Sequence, residues 1–339
     1  MSKSIAIALL AAALPLAASG ADDGLARCAK LEKADERLAC YDELSRAAPS
    51  AAAAADASSG ESYLTRAWQL GPQEGGVRHL GDIVAYRPNY IDLHWTDRPN
   101  DRPRSPATGR AAPGDLNHGD LKIQASFKTE LVSRQAFERT GITGALSHAG
   151  VDSVRLWFAY TQKMSWQILN HGNSRPIREN NYEPEAILTL GTGNPGNGLK
   201  LVNLGLVHES NGLDQSEHRG WSRAYVQGGW EWNRFALLAR AWRVIEQSDD
   251  DNPNIRRFMG WSDLVGRYQG TGGAVTSVLL RGNLQTHRGF MQLDVATPRL
   301  NALGGLKLHI QVSTGYGETL LDYNHKQNTI GVGLSFGDW

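Results

Sequence analysis

The chain has 339 residues, enough for one large barrel or two modest domains, and its formal net charge of +0 removes any electrostatic case for nucleic-acid binding. Mean hydropathy is -0.40, and beyond the N-terminus no apolar run approaches the ~20 residues of a spanning helix, so a membrane span has to be made of strands. The 37 glycines, 10 tryptophans and 10 tyrosines suit that architecture, because glycine serves turns and crowded walls while Trp and Tyr favour the two membrane interfaces.

The first element, residues 1–21, reads as a secretory signal peptide: Lys3, an Ala/Leu/Ile-rich run from Ile5 to Ala18, and Ser19-Gly20-Ala21 before Asp22. Residues 22–46 have helical character and hold the only two cysteines, Cys28 and Cys40. One unbroken helix would keep them roughly 18 Å apart at about 1.5 Å per residue, so a disulfide requires a bend into a hairpin. An oxidising compartment favours that bond, whereas zinc binding is opposed by the spacing and by the lack of a nearby histidine. Residues 47–61 are almost entirely Ala, Ser and Pro, a composition that forms no core and reads as a linker. The domain proper is expected over 62–339.

Within it, two-residue alternation recurs. Ile123, Ala125 and Phe127 oppose Lys122, Gln124, Ser126 and Lys128; Leu308, Ile310 and Val312 oppose Lys307, His309, Gln311 and Ser313; Ile330, Val332 and Leu334 oppose Gly331, Gly333 and Ser335. About a dozen such segments are expected between Leu121 and Trp339, separated by Gly/Asn/Asp/Pro-rich turns. In a soluble sandwich the charged partners would face water; in a membrane barrel they face one another across the lumen. The aromatic Trp339 at the end of the last segment favours the second, a barrel whose last strand closes on its first.

Three motifs fail on context. GTGNPG (Gly191 to Gly196) has the G-x-G-x-x-G spelling, but another alternating strand follows it instead of a helix, so it reads as a hairpin turn. GLSFG (Gly333 to Gly337) spells a nucleophile elbow with no room for the helix, acid and histidine that should follow; Ser335 reads as a lumen-facing strand residue. The acidic run Asp249-Asp250-Asp251-Asn252-Pro253 offers carboxylates to a hard cation but lacks the glycine and terminal glutamate of an EF-hand loop; of the two readings, cation site or solvated acidic loop, the spacing favours the loop.

VNLGLVHESNG (Val202 to Gly212) is different. Val202, Leu204, Leu206, His208 and Ser210 share one strand face, so an apolar stripe ends in an imidazole and a hydroxyl. Polar groups at the lipid side are costly without a purpose. A general base and a nucleophile there suggest an enzyme that attacks lipid. Gly212 can bring a backbone N–H near an oxyanion, and Ser222, on the same face of the next strand as Ala224, Val226 and Trp230, can approach His208 across the hairpin.

The segments YTQKMSWQ (Tyr160 to Gln167), RENNYEPE (Arg178 to Glu185), HESNG with RGWSRAY (His208 to Tyr225), DDNPNIRRFMGW (Asp250 to Trp261) and STGYGETLLDYN (Ser313 to Asn324) resemble, in order, bacterial outer-membrane phospholipase A. YRPNYI, around Asn89 and Tyr90, is similar to the family's first barrel strand. The resemblance implies an all-β, twelve-stranded antiparallel transmembrane barrel in the outer membrane. It also implies a calcium-dependent enzyme that hydrolyses phospholipid acyl esters at both glycerol positions and is activated as a homodimer. It assigns Ser210 as nucleophile, His208 as general base and Gly212 as oxyanion donor. Gln162 falls to the dimer interface, and calcium in the dimer would be held partly by the main-chain oxygens of Leu213 and of Ser174 from the neighbouring subunit, with Asp251 an acidic position associated with calcium in the monomer.

Two positions depart from the family. Ser222 stands where an asparagine is usual; it stays neutral but is shorter, so it holds the imidazole tautomer less firmly. His218 stands where a serine hydroxyl usually meets calcium, and imidazole suits a hard cation poorly. Read as decay, these departures support a rival: a catalytically silent barrel acting as a pore or structural protein. A soluble periplasmic β-protein is the other alternative.

Overall fold

The computed structural model describes residues 28–31, 33–47, 62–71, 82–111, 114–173, 176–213, 217–247 and 252–337. The expected signal peptide, nearly all of the linker and Trp339 lie outside the described residues. The chain divides into two units, residues 1–60 and 61–339. In the first, a turn after Cys28, closed by the Leu31 N–H donating to the Cys28 carbonyl at 3.2 Å, redirects the chain before helix α1 (Ala34–Ala47). That bend brings the two cysteines to a Cα–Cα distance of 5.6 Å, and they are disulfide-bonded.

The second unit is a closed antiparallel barrel. A short strand β1 (Ile83–Ala85) and the first barrel strand β2 (Asn89–Thr96) precede a small hairpin, β3 (Arg104–Ser105) with β4 (Gly109–Arg110). The wall continues with β5 (Gly119–Val132), β6 (Ser153–Trp166), β7 (Ile177–Gly191), β8 (Gly198–Ser210), β9 (Gly220–Trp232) and β10 (Phe235–Gln247). It is completed by β11 (Ser262–Gln269), β12 (Val275–Asn283), β13 (Arg288–Ala296), β14 (Lys307–Tyr316) and β15 (Lys326–Phe336). Each of β5 to β15 pairs with its sequence neighbour, and β15 closes on β2, which pairs in turn with β5, giving twelve strands in the ring. Eleven of these lie beyond Leu121 or span it; the twelfth, β2, lies ahead of the region in which the alternation placed them all. β1 extends the line of β2 along β5, with Tyr86-Arg87-Pro88 as the interruption, where Pro88 has no N–H for a ladder bond.

Closure leaves no strand edge, so the backbone polar groups of the wall are paired within the sheet, as hydrocarbon requires. The period of two then sorts side chains by chemistry. Along β2, Ile91, Leu93 and Trp95 are 46%, 55% and 52% exposed, whereas Asp92, His94 and Thr96 are buried inside. The lumen holds a dense ionic web: Arg87 donates to Glu183 at 2.7 Å and to Glu185, Arg223 to Glu209 at 2.8 Å, and Arg240 to Asp263 at 2.5 Å. Such buried pairs add little net stability, but removing one partner strands a charge, so they fix which arrangement the interior adopts.

At the end of the barrel where β9 terminates, the lumen turns apolar. Helix α2 (Tyr63–Trp68) buries Leu64 and Trp68 against Trp157, Ile187 and Leu201 of the inner wall. Glu231 accepts the Tyr63 and Leu64 N–H groups at 2.7 and 2.9 Å, satisfying donors at the helix start. Lys128, 1% exposed, holds its ammonium 3.4 Å from the centre of the Trp68 ring, with Trp157 and Tyr86 around it. This filling argues against an open pore. GTGNPG forms the β7–β8 turn, and Ser335 is fully buried on the inner side of β15.

The connection 317–325, outside the spanning strands, is tied to the wall by Arg178, whose guanidinium donates twice to Asp322 at 2.7 Å, while Asn100 donates to the same carboxylate at 2.8 Å. Burial alone would raise the Asp322 pKa, but the adjacent Arg178 charge and these hydrogen bonds outweigh it and hold the value at about 2. A depressed carboxylate contributes stability that is fully present above its unfolded value of ~4 and is lost as pH falls through the folded value. The urea midpoint of the detergent-folded barrel should therefore decline between about pH 4 and 2 more steeply in the wild type than in Asp322→Asn. Parallel acid limbs in the two proteins would show that this carboxylate is not responsible.

Candidate active site

The outward stripe of β8 ends where the sequence placed its imidazole and hydroxyl. Leu204 and Leu206 are 45% and 56% exposed on the outer wall, His208 follows them, also exposed, and Ser210 is half-buried at the strand end. Their neighbours Asn203, Val207 and Glu209 are buried on the lumen side. The β8–β9 register sets His208 opposite Ser222 and Ser210 opposite Gly220. Ser222, 9% exposed, has its Oγ 2.9 Å from His208 Nδ1. With Nδ1 so engaged, the nitrogen left to serve as base toward Ser210 is Nε2. Among the described residues no hydrogen bond joins Ser210 to His208; such bonds are often long in free enzymes and tighten in complexes.

Gly212 has φ +63°, a left-handed conformation that lets its N–H turn back and donate to Ser210 Oγ at 3.3 Å. Its open side is covered by Tyr182, whose ring would meet an added Cβ at 3.0 Å. The loop beyond is built on Asn211, 1% exposed: its Oδ1 accepts from the Arg219 N–H at 2.9 Å and its Nδ2 donates to the Glu217 carbonyl at 2.8 Å. The Asn252 carboxamide oxygen accepts from the Gly220 N–H at 2.9 Å, tying the start of β9 to the β10–β11 connection. Beneath the site Glu209 accepts from Trp221 Nε1 at 3.0 Å and from Arg223 at 2.8 Å, so the lumen web clamps the strand that carries the pair.

On the outer wall beside Ser210 runs a polar ladder that the sequence left unassigned except for one member. Tyr160 donates to Gln162 at 3.3 Å, Gln162 to Asn180 at 2.8 Å, and Asn180 to the Tyr182 hydroxyl at 2.8 Å. Tyr182 pairs with Ser210 across β7 and β8. The signal for it was present: Tyr160, Gln162, Asn180 and Tyr182 occupy the outward positions of their strands, where apolar residues dominate elsewhere. Their mutual bonding depends on the β6–β7 register, which no local pattern reveals.

The expected calcium positions are less complete. Ser174 and Asp251 lie outside the described residues. Leu213 and His218 sit on the same loop, and the His218 carbonyl already accepts from Arg219 at 2.6 Å. Among the described residues no three His, Cys, Asp or Glu side chains converge to hold a metal. One main-chain carbonyl and one imidazole do not make the six to eight oxygen ligands typical of calcium, so the described donors of a single chain do not fit the ion.

A family model described as phospholipase A1 matches residues 64–336. The phospholipase A1 of Klebsiella pneumoniae is 32% identical over 259 residues, which are 76% of this chain and 82% of that protein. Two solved structures are similar at 30% identity and a TM-score of 0.64: the Salmonella typhi outer membrane phospholipase dimer with bound calcium, of which 93% is covered, and the Escherichia coli outer membrane phospholipase A, of which 98% is covered. Both alignments span 76% of this chain.

Because Gly212 combines a left-handed backbone with the close Tyr182 ring, an added methyl must displace the N–H that faces Ser210 Oγ. Gly212→Ala should lower ester turnover roughly ten- to a hundredfold. The urea midpoint should fall only modestly, by no more than the ~1–2 kcal/mol that a left-handed alanine costs. Full turnover in this variant would remove the Gly212 N–H from the chemistry.

Proposed function

The chain belongs to the phospholipase A1 family, and on that premise we propose that it is an outer-membrane enzyme that hydrolyses the sn-1 and sn-2 acyl esters of phospholipids with Ser210 as nucleophile. The observation that carries this reading is the placement of His208 and Ser210 on the lipid-facing side of β8, with Ser222 Oγ 2.9 Å from the far nitrogen of the imidazole. A membrane lipid reaches such a pair by lateral diffusion, with its ester near the interface and its chains along Leu204 and Leu206.

In the proposed reaction His208 Nε2 takes the Ser210 hydroxyl proton as Oγ attacks the ester carbonyl. The Gly212 N–H, already turned toward Ser210 Oγ, donates to the oxyanion of the tetrahedral intermediate. Collapse expels the glycerol oxygen, which leaves with the proton from His208, and the acyl group stays on Ser210. Water, deprotonated by the same imidazole, then releases the fatty acid. Ser222 fixes the tautomer from the Nδ1 side, and as a neutral group it places no carboxylate beside lipid.

The reading includes calcium and a homodimer. The outward site offers one wall of a groove for acyl chains, and a second barrel laid against the Gln162 ladder supplies the other. In this reading calcium would be held between the subunits, in part by the main-chain oxygens of Leu213 and of Ser174 of the partner subunit, and would supply positive charge toward the oxyanion, with carbonyls, waters or Asp251 contributing more where His218 fits a hard cation poorly; the solved dimer from Salmonella typhi contains bound calcium. Export through cleavage after residue 21 is part of the same reading.

The test is fatty-acid and lysophospholipid release by the refolded chain in mixed micelles, with calcium and with chelator. Ser210→Ala should lose roughly a thousandfold or more. Ser222→Ala should lose about five- to tenfold, the worth of one orienting hydrogen bond, and Ser222→Asn should match or exceed the wild type. Chelation should reduce both turnover and the dimer fraction. Retained activity in Ser210→Ala would overturn the mechanism, equal rates in all Ser222 variants would remove that residue from it, and indifference to chelator would remove calcium.

A further inference from the structure

The loops over the barrel mouth, at the end where β8 terminates, carry a cationic cleft that the ester chemistry does not use. In the isolated β3–β4 ladder, Arg104 and Arg110 are direct register partners. Like charges placed opposite each other across two strands are destabilising, so the pair is a local cost of the fold. Arg102 lies on the same segment, and all three side chains are exposed.

Three acids of the neighbouring loops are engaged elsewhere. Asp101 accepts from the Leu116 N–H at 2.8 Å, Asp97 binds the Asn328 N–H and side chain at 2.7 Å, and Asp322 is held by Arg178 and Asn100. Among the described residues none forms an ion pair with Arg102, Arg104 or Arg110. These arginines line an open cleft of about 420 Å³ together with Asn254, Asn324 and His325, and among the described residues no carboxylate is in its walls.

The backbone beneath is held in place. Asn324 donates to the Arg104 carbonyl at 2.9 Å, the Ala111 N–H donates to the Pro103 carbonyl at 2.8 Å, and Ser105 between the arginines is 2% exposed. Three guanidinium forks thus project from a pinned hairpin toward one space, with amide donors on the facing loops. A planar fork with paired N–H donors matches phosphate oxygens, and several forks around one space select a ligand with more than one phosphate charge. A bound polyanion would also relieve the Arg104/Arg110 repulsion.

We propose that this cleft is a binding site for a phosphate-bearing polyanion, distinct from the esterase site. The shared chemistry is two closely spaced phosphate charges, carried either by a soluble bisphosphate or by the head group of a bisphosphorylated membrane lipid.

The test uses the full-length refolded chain in nanodiscs of phosphatidylcholine. In one arm inorganic pyrophosphate is titrated by calorimetry; in the other the discs contain a lipid bearing two phosphates, and its retention by the protein is measured by mass spectrometry. The wild type should bind in at least one arm, with affinity that falls as salt rises, and the arm that responds identifies the source. The triple variant Arg102→Gln, Arg104→Gln, Arg110→Gln should bind at least tenfold more weakly, while the corresponding triple lysine variant, which keeps charge but loses the fork, should fall between. Ester hydrolysis should be unchanged in both, which reports that the barrel is folded. Absence of wild-type binding in both arms, or equal binding by the glutamine variant, would overturn the proposal.

Discussion

Hydrocarbon offers no hydrogen bonds, so each backbone N–H and C=O in the membrane must find its partner within the protein. For a chain without a long apolar helix among its described residues, the solution is a sheet with no edge, and the pairing of β15 with β2 provides it. The remainder of the architecture follows from that closure. A closed cylinder with alternating side chains has one dry face and one sheltered face, and the charges must take the sheltered one. The Arg87, Glu183, Glu185, Arg223 and Glu209 web is the result, a stretch of lumen held by ion pairs beside the apolar packing around helix α2.

Against that rule the outer-wall polar residues stand out, because they sit where the solvent opposes them. His208, Ser210 and Ser222 form one group of exceptions and the Tyr160 to Tyr182 ladder another, meeting where Tyr182 pairs with Ser210. The stiffness of the wall makes such groups useful. Strand register fixes His208 opposite Ser222, Glu209 anchors the strand from within, and Asn211 and Asn252 shape the loop that carries Gly212. Catalytic geometry needs side chains held to fractions of an ångström, which a closed sheet provides more readily than a loop alone.

How much of this was legible from sequence depends on the range of the physics. The alternation that defines β8, β14 and β15 is local, and it placed His208 and Ser210 outward and Ser335 inward as the structure does. The approach of Ser222 to His208 was accessible too, because Ser222 shares the outward face of the next strand with Ala224, Val226 and Trp230. What escaped was tertiary. Helix α2 is short, and its place inside the lumen rests on Glu231 and Lys128, residues 168 positions and about 60 positions away in sequence. The first barrel strand, placed through the resemblance of YRPNYI, alternates as cleanly as the others; what escaped was its continuation into β1 across Tyr86-Arg87-Pro88, where Arg87 is an inward ion-pair partner lodged between two pieces of one strand line. The Gln162, Asn180 and Tyr182 bonds depend on the β6–β7 register, which a long connection does not constrain.

The claim on which the functional account rests is that His208 activates Ser210 on the outer wall of the barrel. Sulfonyl fluoride treatment of the folded chain, with the modified residue mapped by mass spectrometry, addresses it directly. The account predicts a sulfonyl adduct on Ser210 that forms in the wild type and is lost in His208→Ala. Labelling of Ser210 to the same extent in both proteins, or a folded wild type in which Ser210 stays unmodified while other serines react, would contradict it.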